Sequence, residues 1–220
     1  KFLVEDGRCR WAFSGSMLGT QFKGVRSYPV GYVHELRMFP LDFEEFCWAT
    51  GVSEGARQTI RDACISERPV PDYIHDAMMA NFRTYTVVGG MPEVVQRFLD
   101  TQGDLASVRQ LQSELNEQYR RDISKYASGR ALQVQSIYDQ LPIMLEGENK
   151  RFVLNSIDPK AHYEKYQRDF VWLVDAGVAL KADIVTEPKS PLLKTARPSQ
   201  FKLYQSDTGM LMARLSLIHI

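Results

Sequence analysis

Small polar residues near the N-terminus are the first ones whose types could do chemistry. Ser14, Gly15 and Ser16 directly follow the apolar run Trp11–Phe13, a pattern typical of a strand that is buried on both faces and ends in a polar loop. In an open α/β sheet, ligands bind at the carboxyl ends of the strands. The residues alone leave two interpretations open, a simple turn or a strand terminus that faces a ligand.

The sequence contains no complete catalytic constellation. It has no P-loop pattern, no His-Glu-x-x-His, no paired Cys-x-x-Cys and no Gly-x-Ser-x-Gly. The four histidines lack the mutual spacing of metal ligands, so we expect no metal. Glu44 and Glu45 point in different directions on a predicted helix, and Glu45 forms a capping box with Asp42. We therefore interpret these carboxylates as structural.

Composition limits the function classes. The 220 residues are 44% hydrophobic and 25% charged, which indicates an ordered globular chain. The 27 basic and 27 acidic residues cancel, so any binding to nucleic acid must use a local patch. Three widely spaced cysteines favour a reducing compartment, and no apolar run approaches the roughly 20 residues that a bilayer requires. We expect a cytoplasmic protein with no membrane partner.

The periodicity predicts helices over most of the chain. Apolar residues recur at helical spacing for about ninety residues from Ser53 onward. Strands are predicted at 9–13, 32–39, 178–185 and 201–205. Predicted helices begin after Asp42 and Asp104 and cover 53–66, 72–88, 92–102, the segment through Val134, Ile137 and Leu141, and 160–176.

The C-terminal half has the element order of a winged-helix module, in which two helices precede a β wing. Basic residues of this region could contact DNA phosphates; they are Lys160, Lys165 and Arg168 on the predicted helix and Lys181, Lys189, Lys194 and Arg197 in the wing region. Acidic neighbours reduce the local positive charge; they are Glu164, Asp169 and Asp175. The open alternative is a solvated helix face that binds nothing.

Several short motifs occur in an order that resembles a known family. They are Phe13-Ser-Gly-Ser-Met-Leu-Gly19, Arg26-Ser-Tyr-Pro-Val-Gly31, Met38-Phe-Pro-Leu-Asp-Phe-Glu-Glu-Phe46, Tyr85-Thr-Val-Val-Gly-Gly-Met-Pro-Glu93, Asp122-Ile-Ser-Lys-Tyr126, Asp169-Phe-Val-Trp-Leu-Val-Asp-Ala-Gly177 and Phe201-Lys-Leu-Tyr-Gln-Ser-Asp-Thr-Gly209. Together they resemble prokaryotic AAA-type ATP-binding proteins that carry a C-terminal domain of unknown function. The resemblance covers about residues 1–214.

The resemblance implies that this chain is a middle fragment of an ATPase. In the family, a Walker A loop and a Walker B strand that hold ATP and Mg²⁺ precede the segment seen here, so the fragment is expected to bind neither tightly and to be inactive alone. Ser14 and Ser16 correspond to the sensor strand, with Gly15 as a cofactor contact. Many members have arginine where Tyr32 stands, and Arg26 is the candidate substitute.

The predicted fold class is mainly α with minor β, comprising the last strands of an AAA-type α/β core, a helical region and a winged-helix-like domain. The corresponding segments are 1–50, 51–128 and 129–214. Residues 215–220 do not end in the polar or capping residues that usually terminate a helix, and we expect them to be a non-native tail. The alternative function is a non-enzymatic adaptor that binds DNA or a protein.

Overall fold

The computed structural model describes residues 9–12, 14–15, 34, 36–127 and 129–215. These residues form eight α-helices and one two-stranded antiparallel sheet, which confirms a mainly helical fold with minor β structure. In chain order the elements are α1 (Phe43–Ala49), α2 (Glu54–Ile65), α3 (Asp72–Val88), α4 (Pro92–Asp100), α5 (Leu105–Tyr126), α6 (Ala131–Glu146), α7 (Tyr163–Asp175), β1 (Ala179–Val185), β2 (Ala196–Gln205) and α8 (Thr208–Leu215), with 3-10 turns at Leu154–Ser156 and Leu192–Lys194.

The helix boundaries follow local capping chemistry. Asp42 accepts a hydrogen bond from Glu45 N–H (2.8 Å), and the Glu45 carboxylate accepts one from Asp42 N–H (2.9 Å). This is the predicted capping box. Pro92 occupies the first turn of α4, where its missing N–H costs nothing. Gly177 follows α7 with φ of 72°, a conformation that glycine adopts without strain.

The predicted N-terminal strands are absent wherever the structure describes them. Residues 9–12 and 36–39 have no strand conformation, and Leu36, Met38 and Phe39 are exposed. A strand requires a hydrogen-bonded neighbour, and the described residues contain only the β1–β2 sheet. The strand prediction is therefore wrong for these residues; Phe13, Tyr32, Val33 and residue 35 lie outside the described part.

The chain divides into two compact units. The first comprises residues 1–39 and 122–206, and the second comprises residues 40–121 and 207–220. The segment boundaries expected at residues 50, 128 and 214 stay a prediction.

The core of the second unit is aliphatic and aromatic. Its buried members come from α1, α3, α4 and α5; they are Phe46, Val88, Val94, Val95, Val108 and Leu111. Tyr85 packs against Phe46, with ring centroids 5.3 Å apart. Burial of such side chains supplies the main stabilising free energy of the unit.

The core of the first unit is an aromatic cluster between helices and the sheet. Phe170 of α7 meets Phe201 of β2 edge to face, with centroids 4.8 Å apart, and Phe152 stacks on Phe201 at 6.1 Å. The Phe152 N–H donates to Phe201 O (3.1 Å), which places this extended segment beside β2. Tyr138 and Leu141 of α6 are fully buried.

The two strands pair from Ala179↔Gln205 to Asp183↔Phe201, and after an irregularity the pairing resumes at Ile184↔Arg197. None of the described helices has both the length and the apolar character that a membrane crossing requires.

Candidate functional site

The sensor-like residues are only partly described. Ser14 and Gly15 are exposed and lie outside regular secondary structure. Ser16 and Arg26 lie outside the described residues. The sensor and cofactor assignments at these positions therefore stay predictions.

A buried joint lies where α3 ends and α4 begins. The Gly90 N–H donates to Asp207 Oδ2 (2.6 Å), and Met210 N–H donates to Asp207 Oδ1 (2.8 Å). Asp207 is only 4% exposed. One carboxylate thus holds the α3–α4 break and caps the N-terminus of α8, where negative charge is stabilising.

Three glycines allow this close approach. Gly89 has φ of 78°, and a Cβ there would overlap the Asp207 carboxylate. A Cβ at Gly90 would overlap Leu41 O, and one at Gly209 would overlap Val88 O. We call Gly89, Gly90, Asp207 and Gly209 the glycine–aspartate joint. Its members come from two segments of the second unit that are more than one hundred residues apart in sequence.

Two amides of α5 add polar contacts around the joint. Gln112 Nε2 donates to Val87 O (2.9 Å) and Val88 O (3.0 Å), so it satisfies carbonyls that the end of α3 leaves open. Asn116 Nδ2 donates to Gln112 O (3.0 Å) and Met210 O (3.2 Å). Sequence reasoning missed both residues because each amide occupies one position within an otherwise apolar helix stripe.

Burial and backbone hydrogen bonds give the Asp207 carboxyl a structural role. Burial raises the pKa of Asp207, and hydrogen bonds from the backbone N–H groups of Gly90, Met210, Gly209 and Met91 oppose that rise. The carboxyl is enclosed and held by backbone groups. It can fix the α3–α4 break, whereas a substrate cannot reach it.

Four of the predicted DNA-contact residues differ in their surroundings. Lys160, Lys165 and Arg168 are exposed in the first unit, and Lys165 Nζ lies 3.6 Å from Asp158. The Lys181 side chain is 18% exposed and forms an ion pair with Asp183. Its ammonium lies 4.7 Å from the Phe201 ring centroid, a cation–π distance. The Lys181 ammonium therefore packs against the Phe201 ring and is mostly shielded from solvent.

An ion pair that the sequence analysis missed joins Arg130, the residue before α6, to Asp169 of α7. Arg130 Nε donates to Asp169 Oδ1 (3.0 Å), Arg130 Nη2 donates to Asp169 Oδ2, and Arg130 Nη2 also donates to Lys165 O (2.8 Å). Asp169 is 2% exposed and paired with Arg130, so its negative charge does not offset the positive charge of the exposed basic residues. Its position three residues after Tyr166 and one before Phe170, within the apolar stripe, was a usable signal.

An open groove between α2 and α3 has a volume of about 520 Å³. Its lining is mainly apolar and contains no charged residue among those described. The Asn81 amide in its wall already donates to Thr50 Oγ1 (3.2 Å) and Cys47 Sγ (3.4 Å). Because a triphosphate needs cations or convergent N–H groups, this groove does not fit ATP.

Metal ligands are likewise not gathered in one place. Within residues 9–12, 14–15, 34, 36–127 and 129–215, no three His, Cys, Asp or Glu side chains come together as a possible metal site. All three cysteines are free; Cys47 is buried, whereas Cys9 and Cys64 are exposed. Burial raises the pKa of the Cys47 thiol, which disfavours the reactive thiolate.

The described chain is mainly helical and has two compact units, the second of which contains the buried glycine–aspartate joint. Residues 79–218 match the family described as Domain of unknown function (DUF8612), and the chain belongs to this family. No curated protein and no solved structure matches the chain.

Proposed function

We propose that this chain is part of an AAA-type ATP-binding protein and supplies the region that follows the phosphate-binding loop. The glycine–aspartate joint is the observation that supports this proposal best. Two of the segments that carry the family resemblance, 85–93 and 201–209, contribute its interlocking members. The residues of the joint belong to one compact unit, as segments of a single family module would.

In this proposal the parent protein hydrolyses ATP and this chain alone does not. The described residues offer neither a phosphate-binding loop nor a metal-ligand group, so no hydrolysis step is assigned to them. Residues upstream would hold ATP and Mg²⁺, with Ser14, Ser16 and Arg26 near the γ-phosphate. The helical region at 51–128 would couple phosphate loss to the C-terminal part.

We further propose that residues 129–214 form a winged-helix-like domain. Support comes from the element order: α6, the extended segment at Phe152 beside β2, α7, and then the β1–β2 hairpin. In helix-turn-helix proteins the second helix of the motif faces DNA. By analogy, α7 would be the helix that faces a partner.

The gene sequence upstream of the Lys1 codon tests the proposal directly. We expect a Gly-x-x-x-x-Gly-Lys-Ser/Thr motif that follows an apolar strand and opens a helix, because that arrangement cradles phosphates with backbone N–H groups. An open reading frame without this motif would contradict the proposal.

A second candidate function is a non-enzymatic adaptor that binds DNA or a protein through α7. The exposed cations Lys160, Lys165 and Arg168 favour it. DNA binding that weakens steeply with salt, in a protein whose gene lacks the phosphate-binding motif, would support this candidate over the first.

A further inference from the structure

We propose that the β1–β2 hairpin is a contact surface for the phosphate backbone of duplex nucleic acid, with Lys194 and Arg197 as its principal cations. The inference rests on the proposed winged-helix-like arrangement and assigns its partner. It also moves the phosphate contacts away from Lys181, which the aromatic cluster holds.

The hairpin concentrates positive charge within a neutral chain. The hairpin, residues 179–205, contains five basic residues and two acidic residues. The chain as a whole has equal numbers of both. A local excess of this kind attracts polyanions even when the net charge is zero.

The cations at the end of the hairpin are available to a ligand. The two acidic residues of the hairpin are engaged, Asp183 by Lys181 and Glu187 by Lys189 at 2.9 Å. Lys194 and Arg197 are exposed, and neither forms an ion pair within the part of the chain that the structure describes. Their charge is therefore not cancelled locally.

Hydrogen bonds fix the backbone that carries these two residues. Thr186 N–H donates to Thr195 O (3.2 Å), and Thr195 Oγ1 donates to Glu187 O (2.9 Å). Arg197 lies opposite Ile184 in the strand register. A two-stranded ribbon of this kind fits a DNA groove, and anchored cations lose less conformational entropy on binding than cations on a loose loop.

The surroundings favour a duplex over a single strand. Single-strand binding uses exposed aromatic rings on which bases stack, whereas Phe152, Phe170 and Phe201 are buried. The exposed Tyr204 pairs with Leu180 at the other end of the strand pair from Arg197, which pairs with Ile184, so it offers no ring beside the proposed cations. The exposed part of α7 mixes Glu164 with Lys165 and Arg168. We therefore expect binding to phosphates without strong sequence preference.

The test is fluorescence anisotropy of the whole chain with a labelled duplex of random sequence, titrated at several KCl concentrations. The probe variant is Lys194→Gln/Arg197→Gln. The matched control is Arg68→Gln/Arg83→Gln, which removes two exposed cations from the other compact unit. Both variants lose the same net charge, and circular dichroism melting verifies that both fold.

We expect the probe variant to bind the duplex about tenfold more weakly or worse. The slope of log K against log[KCl] should fall in magnitude by about two, because each lost phosphate contact removes about one unit of that slope. The control should stay within about twofold of the unmodified chain. Equal losses in both variants, absence of duplex binding, or binding to anionic phosphatidylserine vesicles but not to duplex would each overturn the inference. None of these outcomes affects the ATPase proposal, which the upstream motif tests.

Discussion

At the scale of single residues, the structure explains what Gly89, Gly90, Asp207 and Gly209 do in the segments 85–93 and 201–209. Gly90 passes against the Leu41 backbone, and Leu41 N–H donates to Gly90 O (2.7 Å). Asp207 fills the space that side chains at Gly89 would need. These residues are thus constrained by packing, and a catalytic role is not needed to account for them.

Gly90→Ala should destabilise the protein because its Cβ would overlap backbone rather than a movable side chain. We expect a loss of about 2–3 kcal/mol in the free energy of unfolding, measured by urea denaturation. Gly55→Ala is the control, since a Cβ there meets nothing within 4 Å and alanine favours helix. Equal stability of Gly90→Ala and the unmodified chain would contradict the packing account.

Asp207 should make stability depend on pH. Burial raises its pKa above the ordinary value of 3.8, so the folded state binds this proton more tightly than the unfolded state. The stabilisation that results is fully present below pH 3.8 and is lost as pH rises through the raised pKa. Relative to Asp207→Asn, the unmodified chain should therefore lose unfolding free energy as pH increases.

Urea unfolding of both proteins from about pH 4 to about pH 7 measures this difference. The substitution should also cost about 1–3 kcal/mol throughout, because an amide cannot accept from both Gly90 and Met210 N–H groups. A stability difference that is constant with pH, or that grows toward neutral pH, would contradict the assignment.

At the scale of elements, the helices were predictable and the N-terminal strands were not. The helix at Asp72–Val88 and the starts after Asp42 and Asp104 agree with the structure, because caps and apolar spacing act within a few residues. The strand expected at 32–39 depended on a partner strand that the apolar pattern cannot reveal. Residues 36–39 are exposed and do not pair with a neighbouring strand.

The candidate sites were predictable to a smaller extent for the same reason. The exposed positions of Lys165 and Arg168 follow from helix periodicity, whereas Lys160, predicted to begin the helix, lies in a turn before α7. The attachment of Lys181 to Phe201 and the meeting of Gly90 with Asp207 depend on tertiary packing. No local pattern specifies which distant residues meet.

Helix α7 should depend on its ion pair, in which Asp169 is buried and the Arg130 side chain is 36% exposed. Arg130→Ala leaves the Asp169 carboxylate buried without its cation, and we expect a loss of about 3 kcal/mol in unfolding free energy. Arg168→Ala removes an exposed arginine from the same helix and should change stability by less than about 0.5 kcal/mol. Thermal and urea unfolding compare the two variants; similar effects would refute the special role of the pair.

At the scale of the whole molecule, the described chain is mainly helical, has two compact units and belongs to the DUF8612 family. Its neutral total charge conceals a basic hairpin. The cytoplasmic location stays a prediction. The central claim is that this chain belongs to an ATPase whose phosphate-binding residues lie upstream.

Phosphate release from ATP tests that claim most directly, measured for residues 1–220 and for the longer protein encoded upstream through Ile220. The account predicts release only from the longer protein, and loss of that release when the lysine of its phosphate-binding loop is changed to alanine. Release by residues 1–220 above a protein-free blank, or no release by the longer protein, would contradict the account.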